Sequence, residues 1–328
     1  MKRLNACMLL SFGAVFATLL GGVSTLGAEN KQNVVISTNG AALEVTVSGR
    51  KSFTYHAAES ELPRVDIKPA FKRGGYIHPL RTWGGKILTD DYPPNHVHHH
   101  GVWGAWTKTE FEGRAPDFWN MGDRKGTVLA KGVTRTFAEN GQAGFTAAHE
   151  QVDLTSGEPR VALRETWTVT ALGNASADFP FFATDLVITQ TCASASSLKL
   201  PKYHYGGLGF RGRWEWNGAA NWQVLTSEGI TNRIQANESR GRWCALYGKV
   251  DEAQAGVVIL SHPSNFRSPQ PMRIHPTEPF FCYAPSQLGD WEIKPGEAYV
   301  SRYRLVTFDG PPDAAKFEEF WREYAKTN

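Results

Sequence analysis

Three long runs near the middle of the chain, residues 126–137, 144–154 and 160–172, decide what the chain can fold into. Each alternates apolar with polar or small residues. The links between them are short and turn-rich, Glu139-Asn140-Gly141-Gln142 and Thr155-Ser156-Gly157-Glu158-Pro159. Side chains on a strand point alternately to the two faces, and links of this kind close hairpins. Long hairpin-linked strands with one apolar face need a second layer to cover that face. In the third run Val161, Leu163, Glu165, Trp167 and Val169 share a face, which sets one carboxylate on an otherwise apolar surface.

The same texture covers most of the chain. Residues 33–38, 43–47 and 52–56 read as strands, with turns at Asn39-Gly40 and Ser48-Gly49-Arg50-Lys51. Residues 101–111, 181–192, 243–247, 256–261, 280–283 and 299–307 read likewise. One segment departs from the pattern. After Pro311-Pro312 and Asp313, the residues Phe317, Phe320, Trp321 and Tyr324 recur at helical spacing, which predicts a packing helix. No polar linker divides the chain. The expected fold is all-β: a large antiparallel two-sheet sandwich with a short C-terminal helix, and residues 29–328 as a single domain.

Residues 1–28 read as a secretory signal peptide. Lys2 and Arg3 precede an apolar run from about Ala6 to Val23, and small residues lead to Ala28. Cleavage there predicts an exported protein, periplasmic or extracellular, with no membrane attachment afterwards; the rival reading is an uncleaved membrane anchor. Without Lys2 and Arg3 the 35 basic residues fall to 33, against 32 acidic ones. So even a balance argues against nucleic acid or an anionic surface as partner. Cys7 lies inside the apolar run, leaving Cys192, Cys244 and Cys282. Three cysteines are not a disulfide framework. They read as buried free thiols, with a single disulfide as the alternative.

The chemistry concentrates in residues 78–106, which hold five of the ten histidines: His78, His96, His98, His99 and His100. On a strand, His96, His98 and His100 would point one way and His99 the other. Two chemistries follow. His98 and His100 could hold one divalent transition metal, copper, iron or zinc. A further ligand would come from His78, His204, His262, Asp90, Asp91 or Asp117. Alternatively, His78, His98, His99, His100 and His204 exchange protons with a sugar, with Glu165 as the partner carboxylate. Clustered imidazoles disfavour one another's charged forms, which keeps some of them neutral as bases. Trp106 and Tyr205 offer stacking surfaces, and Arg211 or Arg213 would hold an acidic or hydroxylated group. His262 and Asn265 sit on a loop directly after a buried-looking strand, a common place for binding groups. His56, His149 and His275 stand alone and read as structural. The glycines around Gly206 lack a phosphate-loop pattern, and no nucleophile elbow surrounds Ser261.

Several stretches together carry a resemblance. They are His78-Pro79-Leu80, Leu88-Thr89-Asp90-Asp91-Tyr92-Pro93-Pro94, His98-His99-His100-Gly101 and Trp106. Later pieces are Tyr205-Gly206-Gly207-Leu208-Gly209-Phe210-Arg211, Ala255-Gly256-Val257-Val258-Ile259, His262-Pro263-Ser264-Asn265, Arg302-Tyr303-Arg304 and Asp309-Gly310. Over about residues 64–310 the chain resembles a bacterial family commonly labelled PmoA family protein, or methane oxygenase PmoA, a domain of unknown function. The family name implies a histidine-ligated, metal-dependent oxidoreductase. Family members tend to be exported by bacteria that degrade complex glycans, which implies a carbohydrate ligand. The β pattern is also similar to the supersandwich of galactose-mutarotase-like proteins, where histidine and glutamate act on a sugar. The resulting expectation is an exported carbohydrate-active enzyme of hydrolase, lyase or epimerase type using clustered histidines. The alternatives are the metal-dependent oxidoreductase and a non-catalytic glycan-binding protein.

Overall fold

Alternation becomes strand almost everywhere it predicts one. The computed structural model describes residues 34–173 and 179–327, so the expected signal segment lies outside the described residues. In chain order the strands are β1 (Val34–Asn39), β2 (Ala42–Val47), β3 (Arg50–His56), β4 (Tyr76–Leu80), β5 (Val102–Ala105) and β6 (Gly126–Glu139). Next come β7 (Gln142–Asp153), β8 (Arg160–Leu172), β9 (Phe181–Cys192), β10 (Leu198–Leu200), β11 (Gly207–Arg211) and β12 (Trp222–Thr226). The last are β13 (Trp243–Val250), β14 (Ala253–Ser261), β15 (Met272–Ile274), β16 (Phe280–Tyr283), β17 (Trp291–Ile293) and β18 (Tyr299–Asp309). A single-turn helix α1 (Arg233–Ala236) and the predicted C-terminal helix α2 (Ala314–Tyr324) complete the regular elements.

These strands form two eight-stranded antiparallel sheets among the described residues. The first runs β1-β2-β3-β4-β5-β11-β16-β15, the second β12-β13-β14-β18-β9-β8-β7-β6, and β10 pairs with β17 alone. Between the large sheets lies the main core. Val45, Phe53, Ile77, Val102, Phe210 and Phe281 from the first sheet meet Phe145, Trp167, Leu186 and Leu305 from the second. Period two then sends the alternate residues of the first sheet to its other face. There Tyr76, Trp103, Phe280 and Cys282 join Trp119 in a second apolar cluster. That second face carries the chemistry described below.

A polar tie on charged and hydroxyl groups crosses the main core from β3 to β7 and β8. The Tyr55 hydroxyl on β3 pairs with His149 Nε2 on β7 at 2.6 Å, and His149 Nδ1 pairs with Glu165 Oε1 on β8 at 2.9 Å. Antiparallel register sets His149 directly opposite Glu165. Glu165 accepts further bonds from Trp167 Nε1 (2.7 Å), Gln151 Nε2 (3.2 Å) and Gln190 Nε2. Burial would push its carboxyl up, but the bonds from His149, Gln190 and Trp167 outweigh that and hold it below the usual range.

The predicted strand over residues 101–111 is cut short at Ala105. Trp106 tucks under the chain, and its carbonyl accepts the returning Phe118 N–H at 3.0 Å. Residues beyond it form loops that cover the second face. The C-terminal helix is capped by Asp313, whose side chain accepts the Lys316 N–H at 3.0 Å. It buries Phe317, Phe320 and Tyr324 against the second sheet, with Phe317 packed on Trp243 and Phe308. Cys192, Cys244 and Cys282 are free thiols. Among the described residues no helix is long and apolar enough to cross a membrane.

Candidate functional site

The histidine stretch is not a strand. Residues 93–99 run as two successive turns, closed by His96 N to Pro93 O at 3.0 Å and His99 N to His96 O at 2.8 Å. Pro93 and Pro94 withhold donors from any ladder, so pairing fails there. With period two lost, the histidines sort in another way. His96, His98 and His99 gather their rings, with centroids 4.5 to 5.6 Å apart. His100 turns to the opposite side. The sorting depends on Gly101, where any Cβ would collide with the Ile77 carbonyl oxygen.

His96, His98 and His99 line a cavity of about 300 Å³ on the second face of the first sheet. Its other walls come from far along the chain. Trp119 and Asn120 descend from the loop after β5, and His204 and Tyr205 precede β11. Arg273 stands on the edge strand β15, while His275, Glu278 and Phe280 come from the β15–β16 connection and the start of β16. Gly209 on β11 makes room for the Trp119 ring, since a side chain there would press on it at 2.8 Å. His99 is sandwiched between His96 (4.7 Å, stacked) and Phe280 (4.9 Å, stacked).

The charged centre of this cavity is His96 with Glu278. His96 Nδ1 stands 2.8 Å from Glu278 Oε2, at ion-pair distance but off the hydrogen-bond line. Glu278 is held from behind by the fully buried Arg211, whose Nη1 donates to Oε2 at 2.8 Å. Arg211 Nη2 is occupied by Asn95 and Asn217. His275 Nδ1 accepts the Glu278 N–H at 3.0 Å, which places the proton of its neutral ring on Nε2.

The imidazoles of the cavity are neutral at pH 7. Burial lowers His98 to about 3, with His96, His100 and Arg211 adding to the effect. Burial also holds His99 well below its ordinary value, reinforced by His98 and Arg211. His96 falls because burial outweighs the attraction of Glu278. His204 and His275 fall for the same first reason, and Arg273 pushes both in the same direction.

A second polar group lies across the sheet face. His100 Nδ1 donates to Asp91 Oδ1 at 2.6 Å, and the Tyr76 hydroxyl donates to Asp91 Oδ2 at 2.9 Å. The His100 ring is fully buried, stacked on Tyr76 and edge-on to Tyr92. Burial lowers His100 despite the pull of Asp91. The Asp91 carboxyl, pushed up by burial, is brought down on balance by its bond from His100. His78 belongs to this side as well, with Nδ1 3.0 Å from Thr89 Oγ1, and burial lowers it to about 4.

Several sequence expectations are corrected by this arrangement. His98 and His100 do not converge, because the chain turns between them instead of extending. The donor set therefore does not fit the expected metal: among the described residues no group of three or more His, Cys, Asp or Glu side chains is placed to hold one. Of the proposed proton-exchanging residues, His98, His99 and His204 line the cavity, whereas His78 and His100 lie outside its walls. Glu165 is buried in the inter-sheet core with His149 and does not face any histidine of the cluster. Tyr205 is a wall residue, but Trp106 is core, with Nε1 donating to Gln190 Oε1 at 2.8 Å.

The expected arginines also change places. Arg211 supports the cavity from beneath, and Arg213 pairs with Glu215 at the rim of a different depression of about 780 Å³. Another depression, of about 690 Å³, lies beside Phe266 and Trp291, and neither of the two is lined by a histidine. His262 bonds to Ser264 and to the Thr327 carbonyl and packs edge-on against Tyr324 of α2. Asn265 bridges Ser261 to the Arg302 backbone. Both tie a loop to the second sheet. Sequence reasoning missed Glu278, Arg273, Asn120 and Phe280 and assigned His275 to structure. Only the turn residues around Pro276 hinted at an exposed connection there.

Fold and site together define the class: an antiparallel two-sheet β protein with a histidine-lined cavity on the outward face of one sheet. The chain belongs to the family of unknown function DUF6807, which it matches over residues 42–322. That match does not support the PmoA name. No curated protein matches the sequence. Among solved structures it is similar to a galactose mutarotase related enzyme from Lactobacillus acidophilus. The identity is 8%, the TM-score 0.35, and 84% of this chain and 97% of that one are covered. It is also similar to a galactose mutarotase-like protein from Clostridium acetobutylicum, at 8% identity and a TM-score of 0.36, covering 84% and 95%.

Proposed function

We propose that the protein is an exported carbohydrate-active enzyme that moves protons through the histidines of this cavity. The observation that carries the reading is the His96–Glu278 pair at 2.8 Å, set over a buried arginine and beside neutral imidazoles. A partly exposed imidazole next to a fixed carboxylate can shuttle a proton, while His98 and His99, held neutral by burial, offer hydrogen-bonding nitrogens beside it. Trp119, Tyr205 and Phe280 supply aromatic faces against which the apolar faces of a sugar ring stack. Asn120 and His204 add hydrogen-bonding groups at the wall. The reaction class is acid–base chemistry on a sugar: hydrolysis, elimination or mutarotation. Export rests on the leader read at residues 1–28.

The test is a panel of oligosaccharides and polysaccharides scored for products with wild type, His96→Ala and Glu278→Gln. Wild type is expected to form product, and each variant to lose about 100-fold or more, His96→Ala while unfolding at the wild-type temperature and Glu278→Gln at a lower one because buried Arg211 loses its carboxylate. Full activity in folded His96→Ala contradicts the assignment. Saturable glycan binding by wild type with no product makes the protein a binding module instead.

A further inference from the structure

The cavity holds one more charge, and that charge has no counterion. Arg273 lines the wall from edge strand β15, opposite Cys282 in the register. Its Nη1 donates to Asn237 Oδ1 at 2.9 Å, which fixes the guanidinium plane. Asn237 Oδ1 also accepts the Ile274 N–H at 3.0 Å, so the anchor is itself held by the backbone. Arg273 Nε is buried without a partner. Among the described residues no carboxylate lies within ion-pair distance of Arg273, whereas Arg211 beneath the cavity is paired with Glu278.

The sole carboxylate of the wall is therefore already compensated, by Arg211. The remaining wall groups are neutral imidazoles, an amide and aromatics. That leaves a fixed positive charge facing a small, partly desolvated space. An orphaned guanidinium edge in such a place is costly unless an anion or ordered water meets it. Nη1 is taken by Asn237 and Nε is closed off, which leaves Nη2 to meet an anionic oxygen.

We infer that Arg273 selects a sugar carrying an anionic oxygen group, a uronate carboxylate or a sulfate ester, and fixes that group against the β15 side of the cavity. This rests on the carbohydrate reading given above and narrows its substrate class. The anionic group sits at Arg273, and the ring lies along Phe280 and Tyr205 toward His96. Arg273 is thus a specificity and positioning residue, distinct from the proton-exchanging pair.

The experiment is isothermal titration of the folded protein with three disaccharides: a uronate, its neutral counterpart and a sulfated analogue. Wild type and Arg273→Gln are compared, with Arg273→Lys as a variant that keeps charge but loses the planar guanidinium anchored on Asn237. Wild type is expected to bind at least one anionic sugar about 10- to 100-fold more tightly than the neutral one. The uronate and sulfate arms tell which group is read. Arg273→Gln is expected to abolish the preference, so that anionic and neutral sugars bind alike, and Arg273→Lys to retain only part of it. Should Arg273→Gln fail to fold, salt serves with wild type alone. Raising it from about 50 to about 500 mM should weaken anionic binding and spare neutral binding. Equal affinity for neutral and anionic sugars overturns the inference and leaves the carbohydrate reading standing. Absence of binding by any of the sugars overturns both.

Discussion

Glu165→Gln is the substitution whose cost the structure defines best. The carboxylate is 3% exposed and accepts bonds from His149, Trp167, Gln151 and Gln190. Glutamine keeps one acceptor oxygen for His149 and Trp167. Its amide nitrogen then faces the donating amides of Gln151 and Gln190; Gln151 can turn its unpartnered Oε1 inward, but Gln190 stays donor against donor. Turning Gln190 to relieve the conflict removes the acceptor of Trp106 Nε1. Each buried donor left unpaired costs about 1–3 kcal/mol, and removing one side of a buried charged contact costs about 3–5 kcal/mol. The expected loss is about 3–5 kcal/mol, a large part of the about 5–15 kcal/mol that holds a domain together. Urea denaturation at pH 7, followed by tryptophan fluorescence, measures it. The folded fraction of Glu165→Gln should bind and turn over ligand like wild type, because Glu165 does not line the cavity. A stability within about 1 kcal/mol of wild type, or a selective loss of turnover in a stable variant, refutes this reasoning.

Other outcomes follow from the same contacts. His98 and His78 are held neutral by burial, at about 3 and about 4, so the unfolded chain binds more protons than the folded one below its histidine pKa. Their stabilising contribution is complete above about pH 6.5 and is lost as pH falls through that value, by about 1.4 kcal/mol per pH unit per histidine. Denaturation midpoints that stay flat between pH 6 and 4.5 would contradict it. Gly101→Ala forces the His100 segment away from Ile77, and a loss of about 2 kcal/mol or more is expected in thermal unfolding. Burial pushes the Cys282 thiol up to about 12 and the Cys244 thiol higher still, so of the three cysteines among the described residues a thiol reagent should label only Cys192 in the native protein. Rapid native labelling of all three would show that the sheets are not packed as described.

The sheet framework was legible because it rests on local alternation. β8 and β9 have the boundaries that the pattern predicts, and the helix at Ala314–Tyr324 follows its apolar spacing and its Asp313 cap. The face of Glu165 was also legible, but its role was not. Counting back through the β7–β8 hairpin sets His149 opposite it, and that partner makes it a core group. The histidines misled for a local reason: Pro93-Pro94 convert an assumed strand into turns, and His98 parts from His100. The rest of the site was out of reach of local patterns. Arg273, His275, Glu278 and Phe280 meet the histidines only because β16 pairs with β11 and β15 lies at the sheet edge. Strands β10, β15 and β17 are three residues each, too short for a period to register.

The central claim is that a sugar occupies the cavity between the 93–99 turns and β16. Nitrogen-15 spectra of histidine-labelled protein, titrated with the neutral and uronate disaccharides, test it most directly. Saturable shifts at His96, His98, His99, His204 and His275, with His149 and His262 unmoved, are the predicted result. Shifts confined to His149, His262 or His78, or none with either sugar, would contradict the account.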